Sequence, residues 1–276
     1  MVAPKFHRLI RFSDFAGINE DFRISDSKTA NVSHILSLVP FGSFIHGIGL
    51  NYRRHAEEGG FAIPSHPVSF VKFLDSLANP YQDIPINAEA QGLDYEVRNT
   101  SFACCRRWLT LPGRACYCNW SRLPQHPRGF ESYGLRLGYT VSNDISSRYW
   151  QNISEASYGK SFDKFAPLGP VLVSSHDIVD PGTLTLRTRV NGELRQESGT
   201  NDLIFSVPKI VRHLSRDKTL RKGTIILSGT PSGVGAFQRG GPKFLVDGDL
   251  VEIEIEGIGR IANRMVFDQQ SISQER

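Results

Sequence analysis

The 276 residues predict an α+β fold, mainly β, and three observations carry that expectation. Two segments, 183–190 (TLTLRTRV) and 250–256 (LVEIEIE), alternate apolar and polar residues, and each leads through a glycine turn into a return strand. Only one helix is well marked, within 206–216 (SVPKIVRHLSR). The 25 Gly and 15 Pro cut the rest into short pieces, while 39% hydrophobic residues suffice for a sizeable core.

From the N-terminus, MVAPKFHRLIRFSDF mixes apolar and basic residues and reads as a first strand of a cytoplasmic chain. Lys5, Arg8 and Arg11 precede the first acid, Asp14, so a mitochondrial targeting segment is the alternative; the apolar run of a secretory signal is missing. A hydrophilic stretch near 17–33 separates a small N-terminal β part, residues 1–45, from a main body over 46–270. Residues 52–60 (YRRHAEEGG) predict a short helix ended by glycine, with His55 and Glu58 on one face. In a strand, LDYEV (93–97) turns Asp94 and Glu96 to the same side. GYTVSNDISSR (138–148) is an apolar strand ending at Asp144, with Arg148 four residues later, and GKSFDKFAPLGP (159–170) is a loop carrying Lys160. Asn191-Gly192 supplies a type I′ turn between 183–190 and 193–197. Val207, Ile210, Val211 and Leu214 recur at helical spacing, with Pro208 tolerated in the first turn. The apolar run 223–229 is a buried strand closed by the turn Thr230-Pro231-Ser232-Gly233, and 250–256 returns through Gly257 along 260–267.

Charge and cysteine are concentrated in one place. The net charge is +4, yet residues 98–136 hold seven Arg, no Lys and a single acid, Glu131. All four Cys (104, 105, 116, 118) and two of three Trp fall there too. The paired spacing of structural zinc sites is absent, as is any stacking motif of an RNA-binding module. No nucleic-acid partner is expected, and no apolar run is long enough to place the chain in a membrane.

Four clusters can carry chemistry. His55 beside Glu58 is a general base with an orienting carboxylate, though a surface pair looks the same. Asp94 with Glu96, and Asp144 with Arg148, offer oxygen ligands beside an anion-binding guanidinium. Lys160 adds a cation, in a loop where lysines often serve only solubility. In order, GLNYxxHAEE, LDYEV, GYTVSNDIS, GKSFDKFAPLGP, VNGELRQ and LSGTPSGVG resemble the fumarylacetoacetate hydrolase superfamily over about 46–267, interrupted at 98–136.

That resemblance implies a mixed β-sandwich roll with a small N-terminal β subdomain, a homodimer, and one divalent metal: Mg²⁺ first, Mn²⁺ or Ca²⁺ otherwise. It implies a small keto acid substrate, with C–C bond hydrolysis of an acylpyruvate as the leading activity. Decarboxylation or keto–enol tautomerisation of an oxaloacetate-like acid is the alternative. By position, Glu96 and Asp144 match metal ligands, and Lys160 matches the lysine that neutralises an enolate. Lys72, Arg148, Gln151 and Thr230 match substrate contacts, and His55 with Glu58 matches the dyad that activates water.

The departure is Arg98, where the family's Glu-x-Glu pair has its second glutamate. A guanidinium there removes a ligand and adds a positive charge, so weak metal binding and an impaired remnant enter as a further reading. Segment 98–136 is either a translated intron or frame error, or a genuine insert. Its apolar residues follow neither period, which predicts a loosely packed loop.

Overall fold

The computed structural model describes residues 44–105 and 135–268, apart from 176, 179, 217 and 222, together with 8–9, 12–14, 17–18, 32–38 and 117–119. Two sheets form a sandwich. The larger runs through Arg8–Leu9, Ala166–Ser174, Leu135–Asn143, Val97–Cys105, Thr224–Leu227, Ile45–Ile48 and Ser69–Lys72, with Leu77–Ala78 beside Ala166–Ser174. The smaller runs through Glu193–Gly199, Thr185–Val190, Leu250–Ile255, Gly259–Phe267 and Ile84–Ile86. Both sheets are mixed: Thr224–Leu227 lies parallel to Ile45–Ile48, and Gly259–Phe267 parallel to Ile84–Ile86, among antiparallel neighbours.

The alternation seen in the sequence sets the faces. Val251, Ile253 and Ile255 are buried while Glu254 is exposed. They share one core cluster with Tyr139, Val141, Val171 and Val173 of the larger sheet. Burying each such aliphatic side chain contributes about 1.5–3 kcal/mol, the main force holding the layers together. The hairpin turn has φ of 51° at Asn191 and 82° at Gly192, the left-handed pair that a type I′ turn requires. The helix Val207–Leu214 buries the four apolar residues that its spacing marked.

The expectation of a loose loop over 98–136 is overturned at both ends. Val97–Cys105 pairs residue by residue with Leu135–Asn143, from Val97 opposite Asn143 to Cys105 opposite Leu135. On its other side Thr100–Ala103 pairs with Thr224–Leu227, so the strand is central. Arg98, Asn99 and Thr100 are buried. Tertiary pairing on two sides supplies what the missing alternation did not. The strand through Arg98 thus belongs to the larger sheet. It is an awkward strand: the Asn99 amide and the Thr100 hydroxyl are buried without partners, at about 1–3 kcal/mol for each unsatisfied group. Residues 106–116 and 120–134, Cys116 included, lie outside the described residues.

The N-terminal part does not separate cleanly at 45. Phe12–Asp14, Gly17–Ile18 and Val32–Ile35 form a small three-stranded sheet, but Arg8–Leu9 is an edge of the main one. The targeting alternative concerns residues of which most lie outside the described ones. Among the described residues no helix is long and apolar enough to cross a membrane.

Candidate active site

The site is assembled where two strand ends meet. Glu96 lies just before the Val97–Cys105 strand and Asp144 just after Leu135–Asn143, and the Asp144 N–H donates to the Glu96 carbonyl at 2.9 Å. Their carboxylates therefore converge. Glu96 Oε2 and Asp144 Oδ2 each lie 3.0 Å from Lys160 Nζ. Lys160, expected in a loop, is instead the last residue of the helix Ala156–Lys160. Its neighbour Gly159 packs so closely on Ser147 and Gln151 that an added Cβ would sit 2.7 Å from the Gln151 nitrogen. That close approach, together with a 2.6 Å hydrogen bond to Ser146 Oγ, fixes where the ammonium lies.

Arg98 enters the same point. Its Nη2 pairs with Glu96 Oε2 and lies 2.8 Å from Asp144 Oδ2, while Nη1 donates to the Ile48 carbonyl at 2.6 Å. The residue is 1% exposed, and its Nε is buried with no hydrogen-bond partner. The ring of Phe70 lies beneath both cations, 5.4 Å from Arg98 Cζ and 5.2 Å from Lys160 Nζ. The ring fits there because Gly47, its cross-strand neighbour, has no side chain.

Lys72 is placed behind Asp144 and not on the cavity wall. Its Nζ contacts Asp144 Oδ1 at 2.6 Å and the carbonyls of Phe165 and Ile145 at 2.8 and 3.2 Å, which uses its three donors. Burial pushes its ammonium down to about 8, against the pull of Asp144 and with added repulsion from Lys160 and Arg98. For Glu96, burial works to raise the pKa, but Lys160, Arg98, Arg148 and His55 outweigh it and hold the carboxyl well below its usual range. Asp144 is likewise depressed, burial being overcome by Lys160, Lys72 and Arg98.

Arg148 joins Asp94 to Glu96. Its Nε donates to Asp94 Oδ2 at 2.8 Å, its Nη2 lies 3.0 Å from Glu96 Oε1, and its Nη1 donates to Gln151 Oε1 at 2.9 Å. The same-side placement of Asp94 and Glu96 thus serves an arginine. Asp94 also accepts the N–H groups of Tyr95, Gly235 and Ala236, which locks the 233–237 turn to the site.

The dyad stands opposite. His55 lies in the helix Arg53–Glu58, and its Nδ1 is 2.7 Å from Glu58 Oε1, whose other oxygen accepts the Gly233 N–H at 2.9 Å. With the Nδ1 proton given to Glu58, His55 Nε2 is left as an acceptor. A cavity of about 650 Å³ is lined by His55, Glu96, Arg98, Arg148, Gln151 and Lys160, with Phe61 and Phe237 on its apolar side.

Thr230 is not on that wall: buried, it accepts a hydrogen bond from Gln196 Nε2 at 3.1 Å. Gln196 is the residue sequence reasoning missed. Its amide also donates to the Pro231 carbonyl at 3.0 Å and accepts from the Val97 N–H at 3.2 Å, tying the LSGTPSG turn to the strand that carries Arg98. Its place in VNGELRQ, one of the motifs that matched, was the available signal.

A divalent ion does not fit these side chains. Mg²⁺ needs near-octahedral oxygen ligands at about 2.0–2.1 Å. The space between Glu96 and Asp144 is taken by Arg98 Nη2, with Lys160 Nζ bound to the same oxygens. Among the described residues no group of three or more His, Cys, Asp or Glu could hold a metal.

Comparison with known proteins agrees with the break in the sequence. The family model for the fumarylacetoacetate (FAA) hydrolase C-terminal domain matches residues 44–98 and 135–266. The chain is 37% identical over 222 residues to the mitochondrial oxaloacetate tautomerase FAHD2B of Bos taurus, covering 79% of this chain and 65% of that protein. It is thus similar to somewhat less than two thirds of the relative's length. Among solved structures, 5-carboxymethyl-2-hydroxymuconate delta-isomerase from Mycobacterium smegmatis superposes with a TM-score of 0.72 at 29% identity, covering 95% of this chain and 99% of that one. Fumarylacetoacetate hydrolase from Exiguobacterium antarcticum gives 0.71 at 29% identity, covering 91% and 84%.

Proposed function

The chain belongs to the fumarylacetoacetate hydrolase family, and on that footing we propose that it moves a proton on a small 2-oxo dicarboxylate, interconverting keto and enol forms. The observation that carries this reading is one cavity wall with three cations, Arg98, Arg148 and Lys160, facing a histidine–carboxylate dyad. The cations attract a dianion and stabilise the negative charge that grows on the C2 oxygen as the enolate forms. His55 Nε2 takes the C3 proton, Glu58 steadies the resulting imidazolium, and the proton returns to the enolate oxygen. The exchange needs no water and no co-reactant. No step is routed through a metal.

The family resemblance alone puts C–C hydrolysis first. The relatives' printed activity favours the order reversed, and it favours tautomerisation over decarboxylation. Hydrolysis stays as the second reading because the same dyad can activate a water, and a solved fumarylacetoacetate hydrolase shares the fold. Mitochondrial residence is proposed on the relatives' names alone.

The test follows the ultraviolet absorbance of enol-oxaloacetate as it relaxes to the keto form, with protein added in EDTA. His55→Ala should lower the catalysed rate by about 10²–10⁴-fold, the usual worth of a positioned acid–base group. No acceleration by the native protein, or full activity in His55→Ala, overturns the reading. Pyruvate released from an acylpyruvate would put the hydrolase first again.

A further inference from the structure

We propose that Arg98 is a built-in replacement for the divalent cation, and that the cavity binds a planar dicarboxylate or 2-oxo acid without any metal. The inference deepens the reading above, whose anionic ligand it assumes.

Charge balance is the first support. Lys72, Arg98, Arg148 and Lys160 meet Asp94, Glu96 and Asp144, four cations against three carboxylates, so the lattice carries a net charge of plus one. A glutamate at 98 together with a divalent ion would leave the same plus one. Swapping both for a single arginine therefore leaves the net charge at the carboxylates unchanged.

Position is the second. A substituted arginine could have swung out to water. This one is 1% exposed, with one nitrogen between the two carboxylates and another on the Ile48 carbonyl. The guanidinium holds together the same pair of oxygens that a bound cation would.

The third is spare donor capacity. Arginine has five N–H groups, and the contacts above use three of them. One Nη1 hydrogen and the Nε–H are left over, and Nε is buried with no partner, a donor whose desolvation is uncompensated, on a residue that lines the cavity. Guanidinium donors match the paired oxygens of a carboxylate, which a spherical ion does not do. Lys160 has no donor to spare, since Glu96, Asp144 and Ser146 take all three. The ligand should therefore depend on Arg98 more than on Lys160.

The experiment is calorimetric and requires no turnover, so a failed tautomerase assay leaves its result intact. Oxalate, a rigid and unreactive planar dianion, is titrated into the full chain in EDTA and again in excess Mg²⁺; Mg²⁺ alone is titrated into the metal-stripped chain. The expected results are equal affinity for free oxalate in the two buffers, after the share held by Mg²⁺ in solution is subtracted, and no saturable Mg²⁺ binding. Arg98→Met should weaken oxalate about ten- to a hundredfold, the worth of a charged hydrogen bond. Arg98→Lys should restore only part, since an ammonium keeps the charge but loses the fork. Near-ultraviolet circular dichroism of each variant checks that the core is intact, and the two titrations of the native chain stand whether or not the variants fold. Saturable Mg²⁺ binding by the native chain, oxalate binding only when Mg²⁺ is present, no oxalate binding in EDTA, or unchanged affinity in a folded Arg98→Met each overturn the proposal.

Discussion

Asp144→Asn removes one negative charge from a lattice closed off from water. Asp144 faces Lys72 at 2.6 Å, Arg98 at 2.8 Å and Lys160 at 3.0 Å, and the side chains of Asp144 and Lys72 have no exposure at all. Lys72 suffers most, because its remaining contacts are two neutral carbonyls. Breaking a buried pair by removing one partner costs about 3–5 kcal/mol. Lys72 itself sets a ceiling on its own share of the loss, since it can shed its proton: from a native value of about 8, holding it neutral at pH 7 costs about 1.4 kcal/mol. At pH 9, above that value, this share falls to near zero. Burial already draws native Lys72 down to about 8. Between that value and the unfolded one the unfolded chain holds more protons, so stability rises with pH in both proteins, and more in the variant. Urea unfolding at pH 7 should show Asp144→Asn less stable by about 3–5 kcal/mol with an unchanged slope, the loss shrinking by about 1 kcal/mol at pH 9. Adding Lys72→Met should recover part of the loss, with a coupling of about 1 kcal/mol. A loss below about 1 kcal/mol at pH 7, or one that grows with pH, refutes the reasoning.

Other perturbations probe the supports. Gly47→Ala places a methyl inside the Phe70 ring, so the ring must leave the cations it underlies. The expected loss is about 1–3 kcal/mol by urea, and an unchanged midpoint would mean the ring is not packed there. Gln196→Leu strands Thr230 and the Pro231 carbonyl, with an expected loss of about 2 kcal/mol and a lower tautomerase rate in the protein that stays folded. Glu58→Gln keeps a hydrogen-bond acceptor for His55 but loses the charge that steadies the imidazolium. Its catalysed rate should fall with the KM almost unchanged, and an effect on KM alone would make Glu58 a binding group.

Much of the fold was legible because its signals are local. Asn191-Gly192 fixes a turn through backbone freedom, and the alternation of 250–256 fixes a face, with no need of distant partners. Residues 97–105 were illegible for the opposite reason. Arg-Asn-Thr-Ser has no apolar face, and its strand conformation comes from pairing with Leu135–Asn143 and Thr224–Leu227, both far away in sequence. The motifs brought the right side chains to one site but not to the right depth. Lys72 and Thr230 sit behind the wall, since a motif records proximity and not which shell a residue occupies. Arg98 was visible as an oddity. That it would turn inward and pair with Glu96 and Asp144 follows only once Lys160 and Arg148 are seen around the same oxygens.

The most direct test of the central claim uses manganese as an anomalous scatterer. Crystals of the native chain grown with Mn²⁺ should show no anomalous peak between Glu96 and Asp144, with density for the Arg98 guanidinium joining the two carboxylates. A peak within ligand distance of both carboxylates, with Arg98 displaced, would contradict the account.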